Sequence, residues 1–481
     1  MFAALFMKKP YSIIFVFPVF LLILSILKIV VLSGCANIIP PTGGLKDSLP
    51  PVLVKVSPPD SSKNFKDKTI TFTFDEYVEL QELQTNLLIS PTPNISPIVE
   101  SKLKTITVKI KDSLETNTTY SYDFGKSIKD YTEGNVLKNF SYIFSTGNVI
   151  DSLELSGKVI LAETGKSDST LIVILHKNPD DSAIIKDRPR YITKLDSSGN
   201  FRFRFLPSGI FHLYALKDDG GTHRYFSKTQ LFAFADKPVE TKPGLTPVTL
   251  YAYTEKKGPS AFVAPLPLNR GAAGRTDERR LKFTTSIIAA QQDILSNFSI
   301  SFETPFRSFD SSKLQLSTDS TFIKETAYSW ETDSLKKKIQ LNVKWKENTR
   351  YNIILEKDFA ADTSGRKLLK TDTLTFTTKK LSDYGAVKIS FNKLDLSVNP
   401  VLQFIQAEII INSFPLSTPE FYQPLFIPGE YELRILNDLN KNGKWDAGDF
   451  FGKRIQPETV KPIEKKITIK ANWDNEYEIT L

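Results

Sequence analysis

The 481 residues carry 24% charged and 41% hydrophobic side chains, a balance that excludes a disordered acidic tail and a multi-span membrane protein. At roughly 100–200 residues per domain the chain holds several folded domains. One cysteine leaves no internal disulfide, Cys-rich zinc site or iron–sulfur cluster, and His176, His212 and His223 fit neither a helical zinc pattern nor a Ser/His/Asp hydrolase.

In chain order the first signal is N-terminal. Met1 and Met7 both offer a start, Lys8 and Lys9 form a basic segment, and an apolar run from Tyr11 to Val31 is interrupted only by Lys28. The run ends in Leu32-Ser33-Gly34-Cys35, the small-residue-then-cysteine pattern a lipoprotein signal peptidase accepts. This predicts a signal peptide over 1–34 and lipidation at Cys35, with diacylglycerol on sulfur and an acyl (palmitate-type) chain on the freed amine. Two or more chains anchor firmly where one anchors marginally. An uncleaved span is the alternative, since the run is long enough to cross a bilayer. Residues 1–34 hold three lysines and no acid, so the +8 net charge falls to +5, 59 basic residues against 54 acidic. No long Lys/Arg block follows, and no nucleic-acid partner is expected. Ala36 stands where inner-membrane lipoproteins commonly carry aspartate, which points to the outer membrane. Residues 35–49, rich in Pro and Gly, read as a tether.

Beyond Leu49 alternation replaces helical period, as in Thr69-Ile70-Thr71-Phe72-Thr73-Phe74 and in Leu103 to Ile110. These are half-buried strands, apolar inward and polar outward, at the spacing of β-sandwiches. The pattern then repeats. Residues 114–120 (LETNTTY) recur at 345–351 (WKENTRY), Gly134 recurs at Gly365, and the strand at 70–76 recurs at 298–304, with offsets of 228 to 232. A different unit also recurs. Gly157-Lys158-Val159 matches Gly385-Ala386-Val387, Pro207-Ser208-Gly209 matches Ile427-Pro428-Gly429, and each copy runs into a strand ending at Asp218 or Asp438. The order is A–B–A′–B′, over 50–149, 150–257, 280–380 and 381–481, with a Pro/Gly/Ala linker at 258–279. Arg270, Arg275, Arg279 and Arg280 at that linker read as a solvated hinge.

The A units resemble the bacterial Ig-like domain of S-layer-type proteins. The resemblance rests on Pro50-Pro51, Phe74 and Glu76, the corner Leu114, Thr118 and Tyr120, the turn Asp130 to Gly134, and Phe144-Ser145-Thr146-Gly147; it is weaker over 280–380, where no acid stands at the position of Glu76. The B units resemble the transthyretin-like, carboxypeptidase-regulatory sandwich through the Gly-x-Val strand, Gly199 and Phe201, and the Pro-x-Gly hairpin. With Pro41-Thr42-Gly43-Gly44 after the lipid site, the whole is similar to Ig-domain outer-membrane lipoproteins. The resemblance implies an all-β chain of four tandem β-sandwich domains after a signal peptide. It also implies a non-catalytic protein of the cell envelope, on the periplasmic or the surface face, bound to an outer-membrane barrel or its accessory proteins and with no small-molecule substrate. A surface glycan-binding or adhesion protein is the other reading.

The sharpest local motif is residues 438–449, DLNKNGKWDAGD. Asp438, Asn440 and Asn442 stand at positions 1, 3 and 5 of a calcium loop, with Gly443 at the sharp turn, Lys444 offering its carbonyl at position 7, Asp446 at 9 and Asp449 at 12. All these donors are hard oxygens, which suits structural calcium and not zinc. The same residues would also build a tight solvated turn. In the other copy only Asp218 is kept, so no ion is expected there. Asp75, Glu76 and Asp130 lie at strand ends and turns, where the Ig-like resemblance implies loop caps rather than a glycosidase pair, and no Gly-x-Ser-x-Gly elbow, His-Glu-x-x-His helix or phosphate loop occurs. Tyr431, Trp445 and Trp473 suit either a sugar-stacking face or the core.

Overall fold

The computed structural model describes residues 46–256 and 280–481. Cys35 and the signal peptide, Pro41 to Gly44 of the tether, and the linker through Arg279 lie outside the described residues. What is described is all-β, built as tandem sandwiches, and contains no helix long and apolar enough to cross a membrane.

In unit A one sheet has the order Leu53–Ser57, Thr69–Phe74, Thr105–Lys109, Ile98–Lys102, and the facing sheet Ser141–Ser145, Thr119–Asp123, Leu88–Ser90. Alternation makes the core: Ile70, Phe72 and Phe74 point inward from Thr69–Phe74 while the threonines between them face outward. Against them lie Ile106, Val108, Tyr120, Tyr122, Tyr142 and Phe144. The corner is pinned by Tyr120, whose hydroxyl accepts from the Glu115 N–H at 2.9 Å, and by Thr146, whose hydroxyl donates to the Glu115 carbonyl at 2.6 Å. Unit A′ repeats both bonds. Tyr351 accepts from the Lys346 N–H at 3.3 Å and Thr378 donates to the Lys346 carbonyl at 2.6 Å.

Unit B pairs a three-stranded sheet, Asn200–Leu206, Leu153–Leu161, Val248–Ala252, with a sheet ordered Tyr191–Lys194, Leu171–His176, Gly209–Lys217, Phe232–Phe234. Unit B′ has the same order in Glu420–Phe426, Gly385–Asn392, Asp474–Thr480 and in Ile409–Pro415, Pro400–Gln406, Gly429–Asn437, Thr459–Ile469. In both, the opening strand runs parallel to the closing one. Gly157 is required where the B strands close up, because a Cβ there would meet the Val248 carbonyl at 2.0 Å and the Phe201 ring at 2.5 Å.

The central B strands read as near-continuous apolar runs, Leu171 to Leu175 and Leu213 to Leu216, and this marks burial on both faces. One face packs inside the sandwich. The other, with Ile174, Ile192, Tyr214, Leu216, Phe232 and Phe234, is covered by residues from other units, among them Leu88 of A and Phe450 of B′.

Candidate functional site

The predicted calcium loop begins where the strand Gly429–Asn437 ends. Asp438 is 2% exposed, its Oδ1 accepting from the Asn442 N–H at 3.1 Å and its Oδ2 from the Gly443 N–H at 2.6 Å. Gly443 takes φ 75°, as the turn demands. Asn440 and Asn442 donate their side-chain amides to one oxygen of Asp446, at 2.6 and 2.5 Å, so positions 3, 5 and 9 are brought together. The Asn442 Oδ1 accepts from the Lys444 N–H at 2.7 Å.

Position 12 differs from the sequence expectation. Both oxygens of Asp449 accept from the next turn, from Gly452 N–H at 2.9 Å and Lys453 N–H at 3.1 Å, because the chain reverses at 449–455 and Asp449 bridges to Ile455. Those two N–H groups hold its carboxyl below the usual range. The acid beneath the loop is instead Glu458, 5% exposed, which accepts from the Leu439 N–H at 2.8 Å and the Asp446 N–H at 3.1 Å. Burial raises its pKa. In unit B, Asp218 makes the same two backbone bonds, to Thr222 and His223. The first aspartate alone therefore serves a turn; Asn440, Asn442, Asp446 and Glu458 distinguish the second copy.

The segment following the loop is the larger finding. Phe450 is 1% exposed and packs across onto unit B: its ring lies 5.7 Å from Tyr214, 5.1 Å from Phe232 and 5.0 Å from Phe234. Arg454 lies over Phe450 and Phe234 and pairs with Asp181 at 2.5 Å. Gln456 donates to the Phe234 carbonyl at 2.9 Å and to Asp236 at 2.7 Å, and the Val460 N–H donates to the Ala162 carbonyl at 2.9 Å. A Cβ on Gly448 would meet Tyr253 at 2.6 Å, and one on Gly165 would meet Pro462 at 2.3 Å. The loop and its continuation thus fasten B′ to B.

Units A and B are joined by a second contact. Arg190 pairs both its terminal nitrogens with the Glu115 carboxylate, holding the Glu115 pKa down, and the Thr92 N–H donates to the Arg190 carbonyl at 2.9 Å. Arg188 donates to the Asn94 carbonyl at 2.9 Å, and Lys194 to that of Thr85. Beside this junction a cleft of ≈ 900 Å³ opens between the two units, with Asp123 and Ser141 on one wall and Lys158, Asn200 and Arg204 on the other.

Glu76, Asp130 and Glu133 place carboxylate oxygens within 4.8 Å of one another. Asp130 is fully buried and accepts from the N–H groups of Glu133, Gly134 and Asn135. Burial and then Asp130 raise the Glu76 pKa. In A′ the corresponding Asp362 caps the same kind of turn and is neutralised by Arg366 at 2.6 Å, so the buried aspartate is a turn cap in both copies. Tyr431 is core, its hydroxyl donating to the Ile427 carbonyl at 2.9 Å, while Trp445 packs against Val401, Leu436 and Val460 and Trp473 is 61% exposed with Lys470 at 4.8 Å. These aromatics serve three different surroundings.

The bacterial Ig-like domain family matches residues 47–146, nearly all of unit A. No curated protein matches the chain. Among solved structures it is similar to the TIE protein of Bacillus anthracis, at 9% identity over 91% of this chain and 75% of that one, with a TM-score of 0.16. It is also similar to the major pilin subunit BcpA of Bacillus cereus, at 9% identity over 68% and 99% with a TM-score of 0.16, and to the S-layer protein SbsC, at 12% identity over 89% and 54% with a TM-score of 0.15.

Proposed function

We propose that this chain is a non-enzymatic outer-membrane lipoprotein, anchored through Cys35, that presents its β-sandwiches as a scaffold or accessory subunit for an outer-membrane barrel or other envelope proteins. The observation that carries the reading is the pair of built junctions, A with B through Arg190–Glu115 and B with B′ through Phe450. Sandwiches locked to one another hold their remaining loops and edges at fixed spacing, which suits recognition of a large partner. Mild-detergent pull-down of the full chain from envelopes is expected to return a stoichiometric barrel protein. Cys35→Ala is expected to release the chain from the membrane. A membrane-bound Cys35→Ala chain would leave the uncleaved span as the anchor, and recovery of the chain alone would remove the scaffold reading.

A second reading, a surface glycan-binding or adhesion protein, is favoured by the polar cleft between A and B. Its walls mix hydroxyl, amide and charged groups, the donors and acceptors a sugar needs. Binding on a glycan array, lost in Lys158→Ala together with Arg204→Ala, would support it over the scaffold.

Calcium at the 438–446 loop is part of the proposal. Asp438, Asn440, Asn442, Asp446 and the Lys444 carbonyl are an all-oxygen set, with Glu458 beneath them in place of Asp449. For a dissociation constant of order 10⁻⁴–10⁻³ M, roughly 10 mM calcium stabilises the chain by about 1–3 kcal/mol. Thermal melts of the full chain are expected to rise with calcium and not with magnesium, and Asp446→Ala is expected to abolish the rise. A melting temperature indifferent to calcium in the unmodified chain would leave a turn and no ion.

A further inference from the structure

The cleft between A and B has the size of a ligand site, ≈ 900 Å³ against the range of roughly 300–1,000 Å³ usual for small ligands. One wall is the outer face of the sheet Asn200–Leu206, Leu153–Leu161, Val248–Ala252, which presents Lys158, Arg202 and Arg204; the wall from A presents Ser121, Asp123 and Ser141. Most of the charges around it are already engaged. Arg202 donates through Nε to Glu154 at 3.0 Å, and Lys194 donates to the Thr85 carbonyl. Asp196 accepts from the Ser198 and Asn200 N–H groups, both at 2.8 Å, and Asp123 accepts from the Gly125 N–H at 2.9 Å. Lys158 and Arg204 make no hydrogen bond and no ion pair among the described residues, although Lys158 acts on Asp196 electrostatically. The cleft therefore keeps two uncommitted cations.

The same wall holds a strained residue. Phe205 takes φ 58°, the left-handed region that non-glycine residues avoid. Two residues, Arg204 and Phe205, stand opposite Glu154, so both lie on a bulge that re-aims the strand. Phe201, Phe203 and Leu206 of that strand belong to the core of B, whereas Phe205 lines the cleft. Backbone strain of this kind gathers at ligand sites. In B′ the equivalent bulge falls at Pro424-Leu425, neither at positive φ, and the sheet exposes Glu420, Glu476 and Glu478 beside Lys388. The duplication thus keeps the bulge in both copies and gives the strained aromatic and the free cations only to the copy that faces a cleft.

We propose that the cleft binds an acidic oligosaccharide, with its carboxylate or sulfate groups on Lys158 and Arg204, one sugar face on Phe205, and its hydroxyls on Ser121, Ser141 and Asn200. Lys158 is paired with Asn200 while Arg204 lies opposite Glu154, so the two cations stand roughly 13 Å apart along the sheet at the ordinary rise of a strand. That separation calls for a chain of sugars with an anion on more than one unit, since a lone sugar acid would reach only one cation. Hydroxyl and amide groups beside an aromatic ring select a sugar over a simple polyanion. The proposal rests on the glycan-binding reading of the cleft and adds to it the charge of the glycan.

The test is isothermal titration of the full chain in mild detergent with oligogalacturonate and with a carrageenan oligosaccharide, each beside its uncharged form, methyl-esterified or desulfated. One acidic form or both is expected to bind more tightly than its uncharged form by about tenfold, the worth of one charged hydrogen bond, and to weaken as salt is raised. Which of the two binds separates carboxylate from sulfate. Lys158→Ala and Arg204→Ala are each expected to weaken binding severalfold. Phe205→Gly is expected to do the same without lowering the melting temperature, because glycine accepts that backbone angle. Equal affinity for charged and uncharged forms overturns the proposal and leaves the glycan reading standing. Polyglutamate bound as tightly as the sugars, or affinity unchanged in all three variants, overturns it too. If no acidic form binds, the proposal falls, and the glycan array decides the rest: neutral sugars bound there keep the cleft as a glycan site, and a blank array removes that reading as well.

Discussion

Replacing Phe450 with alanine is expected to unlock B′ from B at a cost of about 3–5 kcal/mol, the range for emptying a buried aromatic site. The ring is 1% exposed and sits among Tyr214, Phe232 and Phe234, none of which belongs to its own sandwich. The loss therefore falls on the contact between units and not on the B′ core, which is built from Val387, Phe404, Phe426, Leu433 and Ile467. Calorimetry of the full chain is expected to replace joint melting of B and B′ by separated transitions, and limited proteolysis to cut first within 449–456. Phe451→Ala, at 39% exposure and touching Tyr225, is expected to have a smaller effect of the same kind. If Phe450→Ala shifts stability by less than about 1 kcal/mol and leaves the calorimetric profile unaltered, Phe450 does not hold the junction.

That junction marks the boundary of what the sequence discloses. Alternation in Thr69 to Phe74 states which residues face the core, and the corner at Tyr120 and its repeat at Tyr351 were legible because local spacing determines them. The apolar run Leu171 to Leu175 states that both faces of its strand are buried, but nothing local states that Phe450, far along the chain, covers one of them. The calcium loop divides in the same way. Asp438 to Asp446 converge because successive Asn and Asp side chains bond backbone groups a few residues on. Asp449 turns away from the position expected of it, and Glu458, for which the motif gave no expectation, lies beneath the loop, because the chain reverses at 449–455 to seat Phe450 against B, a long-range demand absent from a twelve-residue motif. Ile409 to Ile411 likewise read as an ordinary apolar strand, and only the sheet order reveals an uncovered edge.

Acidification from pH 6.5 towards 4 is expected to weaken the same junction, with His176 the main contributor. It is 2% exposed, packs edge-on to Tyr214 at 5.9 Å, and lies in register with His212 on the neighbouring strand. Burial lowers its pKa to about 4; the nearby His212 adds to the lowering and Asp187 opposes it. Burial, followed by Arg454 of B′, also lowers the pKa of His212, with Asp181 opposing. A histidine with a depressed folded-state pKa contributes stability fully above the unfolded value near 6.5, and that contribution is lost as pH falls to the folded value, since only the unfolded chain takes the proton in between. For His176 the interval corresponds to about 3 kcal/mol. Urea melts between pH 7.5 and 4.5 are expected to show falling stability, with the slope reduced by up to one proton in His176→Gln. Parallel curves for the two chains would clear His176 of the effect. Because Tyr214, the ring against His176, also touches Phe450, the protonated imidazole is expected to disturb the aromatic seat of B′ before it disturbs the inner core of B. Separated transitions appearing at low pH in the unmodified chain, as in Phe450→Ala at neutral pH, would be the calorimetric sign of that order.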